Sequence, residues 1–266
     1  ARVMDLKTYP EQARERLADP TFSKAVLITP YNVAVFSFGQ QRAINFARST
    51  RAASFWIQAT DAPPNWYASN YTTAELLQQK KKWMRFHAKK TEGILSLLLC
   101  CHGMDFRVTD SNGFEFKKYG VFNGAKGTLR GWHLSDRDEE LTKQNPDGEL
   151  VLKDLPKVLF LEMKTPMKEA YRNLPKDWFP MTPVTKYWCL DADENIDMCR
   201  RGFPLVPDFS STIDSATGQT LESAIPDLGD EFCPASQYAA MRGYIGLSRV
   251  TSAGSLLVGQ PFNPLL

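Results

Sequence analysis

Small hydroxyl side chains, a carboxylate and a glycine crowd the stretch from Phe203 to Leu221, FPLVPDFSSTIDSATGQTL. An apolar approach (Phe203, Leu205, Val206) runs into Ser, Thr, Asp and Gly, the pattern of a buried strand that ends in a polar, glycine-bent turn. In an open α/β sheet such a turn lies outside the carboxyl end of a strand, where backbone N–H groups and small hydroxyls can face an anion. An ordinary strand-to-helix loop has the same composition. A second polar stretch, YIGLSRVTSAGSLLV from Tyr244 to Val258, sets Arg249 among hydroxyls. The third concentration is cationic. Between Thr72 and Lys90, the residues Lys80, Lys81, Lys82, Arg85, Lys89 and Lys90 surround Trp83 and Phe86. Such a segment can lie along a phosphate backbone, each contact adding salt-dependent affinity, with Trp83 or Phe86 stacking on an unpaired base. A solvated helix face carries the same charges.

The rest of the composition narrows the chemistry. A chain of 266 residues, 43% hydrophobic and 23% charged, holds one large domain or two small ones with a true core. The formal net charge of +2 is too small to imply a polyanionic partner by itself, so placement of Lys and Arg must carry any such reading. Five cysteines without a C-x-x-C make neither a disulfide framework nor a zinc site, which suits a reducing intracellular compartment, nuclear or cytoplasmic, and not secretion. Cys100, Cys101 and His102 are adjacent, but neighbours in a strand point to opposite faces. No metal ligand set is expected. No G-x-S-x-G is present, and His87, His102 and His133 stand beside no convincing nucleophile. The apolar run Ile94–Cys101 is far short of the roughly 20 residues that cross a bilayer, so no membrane partner is expected.

Elements that position these groups follow from periodicity. Pro10 to Asp19 reads as a short exposed helix between prolines. Ala25-Val26-Leu27-Ile28 is a buried strand ended by Thr29-Pro30-Tyr31-Asn32, and Ser37 to Thr50 is a helix resting on it, half of a parallel α/β unit. Ala52 to Tyr71 has no clean period and reads as irregular. Thr72 to Lys90 reads as one basic helix with Ala74, Leu77, Met84 and Ala88 on its apolar stripe. From Gly93 to Leu134 short strands alternate with turns: Met104–Val108, a tight turn at Ser111-Asn112-Gly113, Phe114-Glu115-Phe116, then the glycine-bent GVFNGAKGTLRGWH. Asp136 to Asp154 reads as a polar connection with a turn at Asn145–Gly148. Lys157–Glu162 and Val184–Leu190 are strands, with a proline-punctuated loop or short helix from Pro166 to Pro183.

Several of these segments, in this order, resemble superfamily 1B DNA helicases of the Pif and RecD type, in their C-terminal half. That family carries a block like T-[IA]-H-x-x-Q-G-x-T-L, matched here by Thr212, Gly218, Thr220 and Leu221. It is followed by one like Y-V-[AG]-L-S-R-V-T-S, matched by Tyr244 and by Gly246 to Ser252. LITPYNVAV with QQRAINFA resembles the family's fourth motif. The segments L-P-x-x-G-M-x-V-R-L-T and F-N-G-x-x-G-x-V-x-G-W are matched at Gly103, Met104, Arg107, Thr109, Phe122, Asn123, Gly124, Gly127, Gly131 and Trp132.

The resemblance implies an α/β fold in which a RecA-like parallel-sheet domain is interrupted by a small SH3-like β-barrel. Residues 20–60 would be the first part of the motor domain, 61–199 the inserted helical and barrel region, and 200–266 the second part. It implies an arginine finger at Arg249, whose permanently charged fork stabilises the charge that develops in phosphoryl transfer. A structural ion pair at a helix end is the plain alternative. Gln41, Arg42, Gly218 and Gln219 would lie near nucleotide, and Thr212, Asn123, Lys126, Thr128, Lys81 and Arg85 near nucleic acid. The implied cofactors are ATP and Mg2+, the implied partners single-stranded DNA and an N-terminal RecA-like helicase domain, and the implied direction five-prime to three-prime. Three departures stand out. Asp214 and Thr217 occupy the family's His and Gln positions, and a carboxylate repels phosphate. Pro226 falls in Ala224–Leu228, where the family has a buried strand. The chain has no G-x-x-x-x-G-K-[ST] loop and no Gly-Lys pair, so ATP and Mg2+ would be held mainly by the other half. A non-catalytic nucleic-acid-binding module derived from a helicase is the alternative function.

Overall fold

The computed structural model describes residues 10–110, 114–144, 150–191, 193, 196–229 and 237–259. The expected turns at Ser111–Gly113 and Asn145–Gly148 lie outside them. The chain forms two compact units, Ala1–Gly39 with Asp208–Leu266, and Gln40–Pro207.

Along the chain come helix α1 (Pro10–Leu17), strand β1 (Val26–Thr29) and helix α2 (Asn32–Thr50), which crosses from the first unit into the second. The second unit continues with β2 (Ser54–Gln58), β3 (Thr60–Ala62), α3 (Asn65–Ala68), α4 (Thr73–Trp83), β4 (Leu97–Cys101), β5 (Asp105–Val108) and α5 (Phe114–Tyr119). After these come β6 (Lys126–His133), α6 (Asp136–Gln144), β7 (Leu150–Val151), β8 (Val158–Met163), β9 (Trp178–Met181), β10 (Val184–Asp191), β11 (Ile196–Gly202) and β12 (Leu205–Pro207). The chain then returns to the first unit through β13 (Ser210–Thr212), α7 (Ile213–Ala216), β14 (Ala224–Pro226) and α8 (Gln237–Leu247).

The first unit is built on a parallel sheet, β13-β1-β14. β1 is central and buried, as its apolar run predicts, and its Val26 and Ile28 pack with Ile213, Ala216, Leu221, Ala224 and Leu256. The Phe203–Val206 approach is not the strand of this sheet. Leu205–Pro207 pairs antiparallel with β5 in the second unit, and the parallel strand is the polar Ser210–Thr212 that follows. Its hydroxyls hide it in sequence, but Ser210 and Ser211 are buried and the Ser210 hydroxyl donates to the Val35 carbonyl at 2.7 Å, which removes the cost of burying it. Pro226 does not break β14. Asp227 N–H donates to Ile28 O at 2.7 Å, so the residue after the proline keeps the ladder to β1. Pro226 itself turns its carbonyl the other way, to Gly259 N at 2.8 Å, so its missing donor faces away from β1.

The second unit carries three sheets: β4-β2-β7, the antiparallel β10-β11-β3, and the antiparallel β12-β5-β6-β8-β9. The mixed α/β class therefore holds. The five-stranded sheet takes in the glycine-bent segment where a barrel was expected, but no sheet closes into a barrel among the described strands.

Five local expectations are corrected. The stretch from Pro166 to Pro183, expected as a loop or short helix, contains strand β9, which pairs antiparallel with β8 and buries Phe179 and Met181. Ala52–Tyr71 is not irregular, since β2 buries Phe55 and Ile57 on one face while Trp56 on the other masks the alternation. Phe114–Phe116 begins a helix, with Phe116 and Tyr119 buried at helical spacing. Asp136–Gln144 is a helix whose first turn holds Asp136, Asp138 and Glu139, the charge sign a helix N-terminus favours. The basic helix stops at Trp83. Thr72 and Glu75 form a reciprocal capping box at the start of α4, and a short 3-10 turn, Ala88–Thr91, follows it. Its inward face is Leu76 and Trp83, not the Ala74 and Leu77 stripe, and Leu77 is exposed.

One fully buried charge anchors this unit. Arg200 on β11 forks onto Asp61 on β3, with Nε to Oδ1 at 2.6 Å and Nη2 to Oδ2 at 2.9 Å. Further donors reach the carbonyls of Ile94 and Trp83, and the guanidinium lies over the Trp188 ring. No helix among the described residues is long and apolar enough to cross a membrane.

Candidate functional site

The carboxyl ends of β1, β13 and β14 lie side by side in the parallel sheet, the place where α/β sheets hold ligands. Thr29 ends β1 fully buried, and its hydroxyl lies 3.2 Å from Oδ2 of Asp227, the residue after β14. Neither residue stands out as a candidate in the sequence. The only signal was a hydroxyl and a carboxylate each directly following an apolar run.

Thr212 ends β13 and caps α7. Its Oγ1 accepts from Ser215 N–H at 3.3 Å and donates to Ser215 Oγ at 2.8 Å. Asp214 and Thr217 are exposed on and just after this one-turn helix. Gly218 follows with φ +76°, a left-handed conformation that glycine adopts without strain, and no atom lies within 4 Å of where a Cβ would stand. The backbone there is open to close approach. Gln219 folds back, Nε2 donating to Ser215 O at 2.6 Å.

Arg249 follows the last turn of α8. Its Nε donates to Ile245 O at 2.8 Å and Nη2 to Ser248 Oγ at 2.7 Å, both short and local. Its Nη1 reaches Ala216 O and Gln219 O at 3.4 and 3.3 Å. Leu221 N–H donates to Arg249 O at 2.8 Å, and Leu221 and Val250 form a parallel bridge. The fold thus brings Thr212, Gly218, Gln219 and Arg249 into one neighbourhood. The guanidinium there braces carbonyls, in place of the ion pair weighed as its plain alternative.

Other sequence candidates sit in the second unit. Gln41 is exposed on α2 and donates to Asn45 Oδ1 at 3.2 Å, while burial draws the Arg42 guanidinium below its ordinary value. Lys81 and Arg85 are exposed. Trp83 is 1% exposed and packs with Tyr67, Trp188, Ile196 and Met198, so it is core and not a stacking surface. Phe86 is partly buried and edge-on to Trp188. Asn123 is exposed and Lys126 partly so. Thr128 is buried, and its hydroxyl donates to Asp105 Oδ1 at 2.6 Å, with Lys164 Nζ on the other carboxylate oxygen at 2.8 Å.

The thiols of Cys100 and Cys101 are both pushed up, chiefly by burial, which disfavours the nucleophilic thiolate. Among the described residues, no group of three or more His, Cys, Asp or Glu side chains is placed to hold a metal ion.

Solved structures share the fold of this chain. Pif1 helicase from Candida albicans matches with a TM-score of 0.51 at 16% identity, over 95% of this chain and 50% of that one. Bacteroides Pif1 bound to ssDNA matches with 0.51 at 13% identity, over 90% and 41%. Pif1 helicase from Bacteroides in complex with ADP-AlF3 and ssDNA matches with 0.50 at 14% identity, over 95% and 45%. At these identities the likeness is one of fold. The chain spans half or less of the length of these structures. No protein-family model matches the sequence, and no curated protein does.

Proposed function

We propose that this chain is the C-terminal motor half of an ATP-dependent DNA helicase. Residues 20–60 and 200–266 serve as the two parts of the second RecA-like domain, and residues 61–199 as an inserted helical and SH3-like region that meets single-stranded DNA. The observation that carries this reading is the fold likeness to Pif1 helicases over nearly the whole chain, including one in complex with ADP-AlF3 and ssDNA. An N-terminal RecA-like domain supplies the phosphate-binding loop and most of the contacts to ATP and Mg2+. Closure of the two domains on the nucleotide then drives stepping along the strand.

In this reading Arg249 is the arginine finger, with Ser248 and Gln219 as its supports. Nε and Nη2 hold the fork by short bonds, while Nη1 has only two long ones. Nη1 is therefore the nitrogen that turns to the γ-phosphate at the least loss of bonding. Gly218 admits the approach of a phosphate or a neighbouring chain, and Gln41 and Arg42 flank the nucleotide. Thr212, Asn123, Lys126, Lys81 and Arg85 line the nucleic-acid path, and Thr128, itself buried, stands behind it. Thr128 serves it by fixing Asp105 and Lys164.

A specific observation favours the second reading, a non-catalytic nucleic-acid-binding module. Asp214 stands exposed in the first turn of α7, where a carboxylate repels phosphate, and Arg249 is spent on internal carbonyls. One experiment separates the two: ATP hydrolysis, with and without single-stranded DNA, by the longer polypeptide that contains this chain. DNA-stimulated hydrolysis supports the motor. Salt-dependent DNA binding without hydrolysis supports the module, and absence of both overturns each.

A further inference from the structure

We infer that the Phe122–Ala125 turn, backed by Lys168, is a platform on which one base of a single-stranded nucleic acid stacks, with Lys117, Lys118 and Arg172 taking neighbouring phosphates. This rests on the nucleic-acid reading above and assigns it an aromatic contact which Trp83, being core, cannot supply.

The turn is rigid and presented outward. Ala125 N–H donates to Phe122 O at 2.9 Å, and the turn is stitched to the end of β5 by Gly124 N–H to Val108 O and Val108 N–H to Ala125 O, both 2.8 Å. At its first position Phe122 is 49% exposed, a half-open phenyl ring at the surface. Lys168 reaches it across Gly120. The Lys168 N–H donates to Tyr119 O at 3.1 Å, its stem runs 3.1 Å from where a Gly120 Cβ would stand, and its Nζ lies 5.6 Å from the Phe122 centroid. Gly120 has φ +79° and so both makes the bend and leaves room for that stem.

Tyr119, whose carbonyl takes the Lys168 N–H, is one of a second pair of rings. Tyr119 and Tyr171 are 4.8 Å apart, with Lys118 Nζ at 5.2 Å from the first ring and Arg172 at 5.4 Å from the second. Over residues 116–124 and 164–176 the exposed cations Lys117, Lys118, Lys164, Lys168, Arg172 and Lys176 outnumber the exposed carboxylate of Glu169. A half-open phenyl ring with ammonium and guanidinium groups around it suits a π-faced base carrying a phosphate on either side, and such stacking tolerates any sequence. A protein partner would find little in this rim to pair with its own cations.

Stacking and charge are separable in one titration: anisotropy of a fluorescently labelled oligothymidine with the 266-residue chain, repeated across a salt series. Phe122→Ala is expected to weaken binding roughly ten-fold at every salt with an unchanged salt slope, and Phe122→Trp to retain it. Lys117→Ala is expected to lower the slope by about 0.7. Because Phe122 is exposed, none of these changes removes core packing, and thermal melts check that. If the parent chain binds and Phe122→Ala matches it, or Phe122→Trp is as weak as Phe122→Ala, this inference falls while the nucleic-acid reading stands. If the parent chain shows no salt-dependent binding, both fall.

Discussion

The backbone N–H of Leu221 donates to the carbonyl of Arg249 at 2.8 Å, fastening the end of one polar block to the middle of the other. Through it, and through Nη1 of the same arginine on Gln219 O, the Gly218 turn is held against the C-terminal end of α8.

Arg249→Ala should therefore have two effects. Loss of the braces on Ile245, Ala216 and Gln219 is expected to cost this chain about 1 kcal/mol, since the carbonyls are only partly buried, measured by urea unfolding. In the longer polypeptide the motor reading expects DNA-stimulated ATP turnover to fall by roughly a thousand-fold or more with DNA binding spared. Arg249→Lys keeps the charge but not the fork, and should not rescue turnover. Unchanged turnover in Arg249→Ala removes Arg249 from the chemistry, and unchanged turnover in Arg249→Lys shows that charge without the fork suffices.

Arg200 and Asp61 make a different kind of pair, enclosed on β11 and β3. Asp61→Asn leaves a buried guanidinium without its counter-charge and is expected to destabilise the chain by about 3–5 kcal/mol. Replacing both, Arg200→Met with Asp61→Leu, should cost less than Asp61→Asn alone. Equal losses for the single and double variants would show that the charge pairing is unimportant there.

Trp83 and Arg85 lie two residues apart and should behave oppositely. Trp83→Ala is expected to cost about 3–5 kcal/mol of stability by opening a cavity among Tyr67, Trp188 and Met198. Arg85→Ala should leave stability within about 0.5 kcal/mol and lower the salt slope of oligothymidine binding by about 0.7. Circular-dichroism melts and anisotropy read the two separately.

His87 gives the basic segment a pH dependence. Its Nδ1 accepts from Lys90 N–H at 3.3 Å, and burial, with Lys89 and Lys90 adding to it, holds the imidazole below its ordinary value of 6.5. The unfolded chain therefore takes up this proton first. The stability from a neutral His87 is complete above about pH 6.5 and is lost as pH falls through the lower folded value. His87→Asn keeps a capping acceptor that does not titrate, so its melting temperature should fall less than the parent's between about pH 7.5 and 5.5. Parallel curves for the two proteins would rule out this contribution.

Much of the first unit was legible because its signals are local. The run at Val26–Ile28 can only be buried, Pro10 marks a helix start, and the polar blocks that hold Gly218 and Arg249 meet in the fold. The second unit was harder. Phe114–Phe116 alternates like a strand and folds as a helix, because what decides is the pair Phe116 and Tyr119 meeting Phe179. Trp83 reads as a surface aromatic among lysines, yet the side of α4 that faces inward is set by Tyr67 and Trp188, which are remote in sequence.

By itself, then, the sequence determined which segments are apolar enough to be strands, where helices are capped, and which side chains carry chemistry, for these depend on residue type and spacing over a few positions. Only the tertiary structure decided where those side chains spend their hydrogen bonds. The fork of Arg249 on Ala216 and Gln219, the hydroxyl of Thr128 on Asp105 and the exposure of Phe122 all depend on partners far along the chain, brought there by packing that no local pattern encodes.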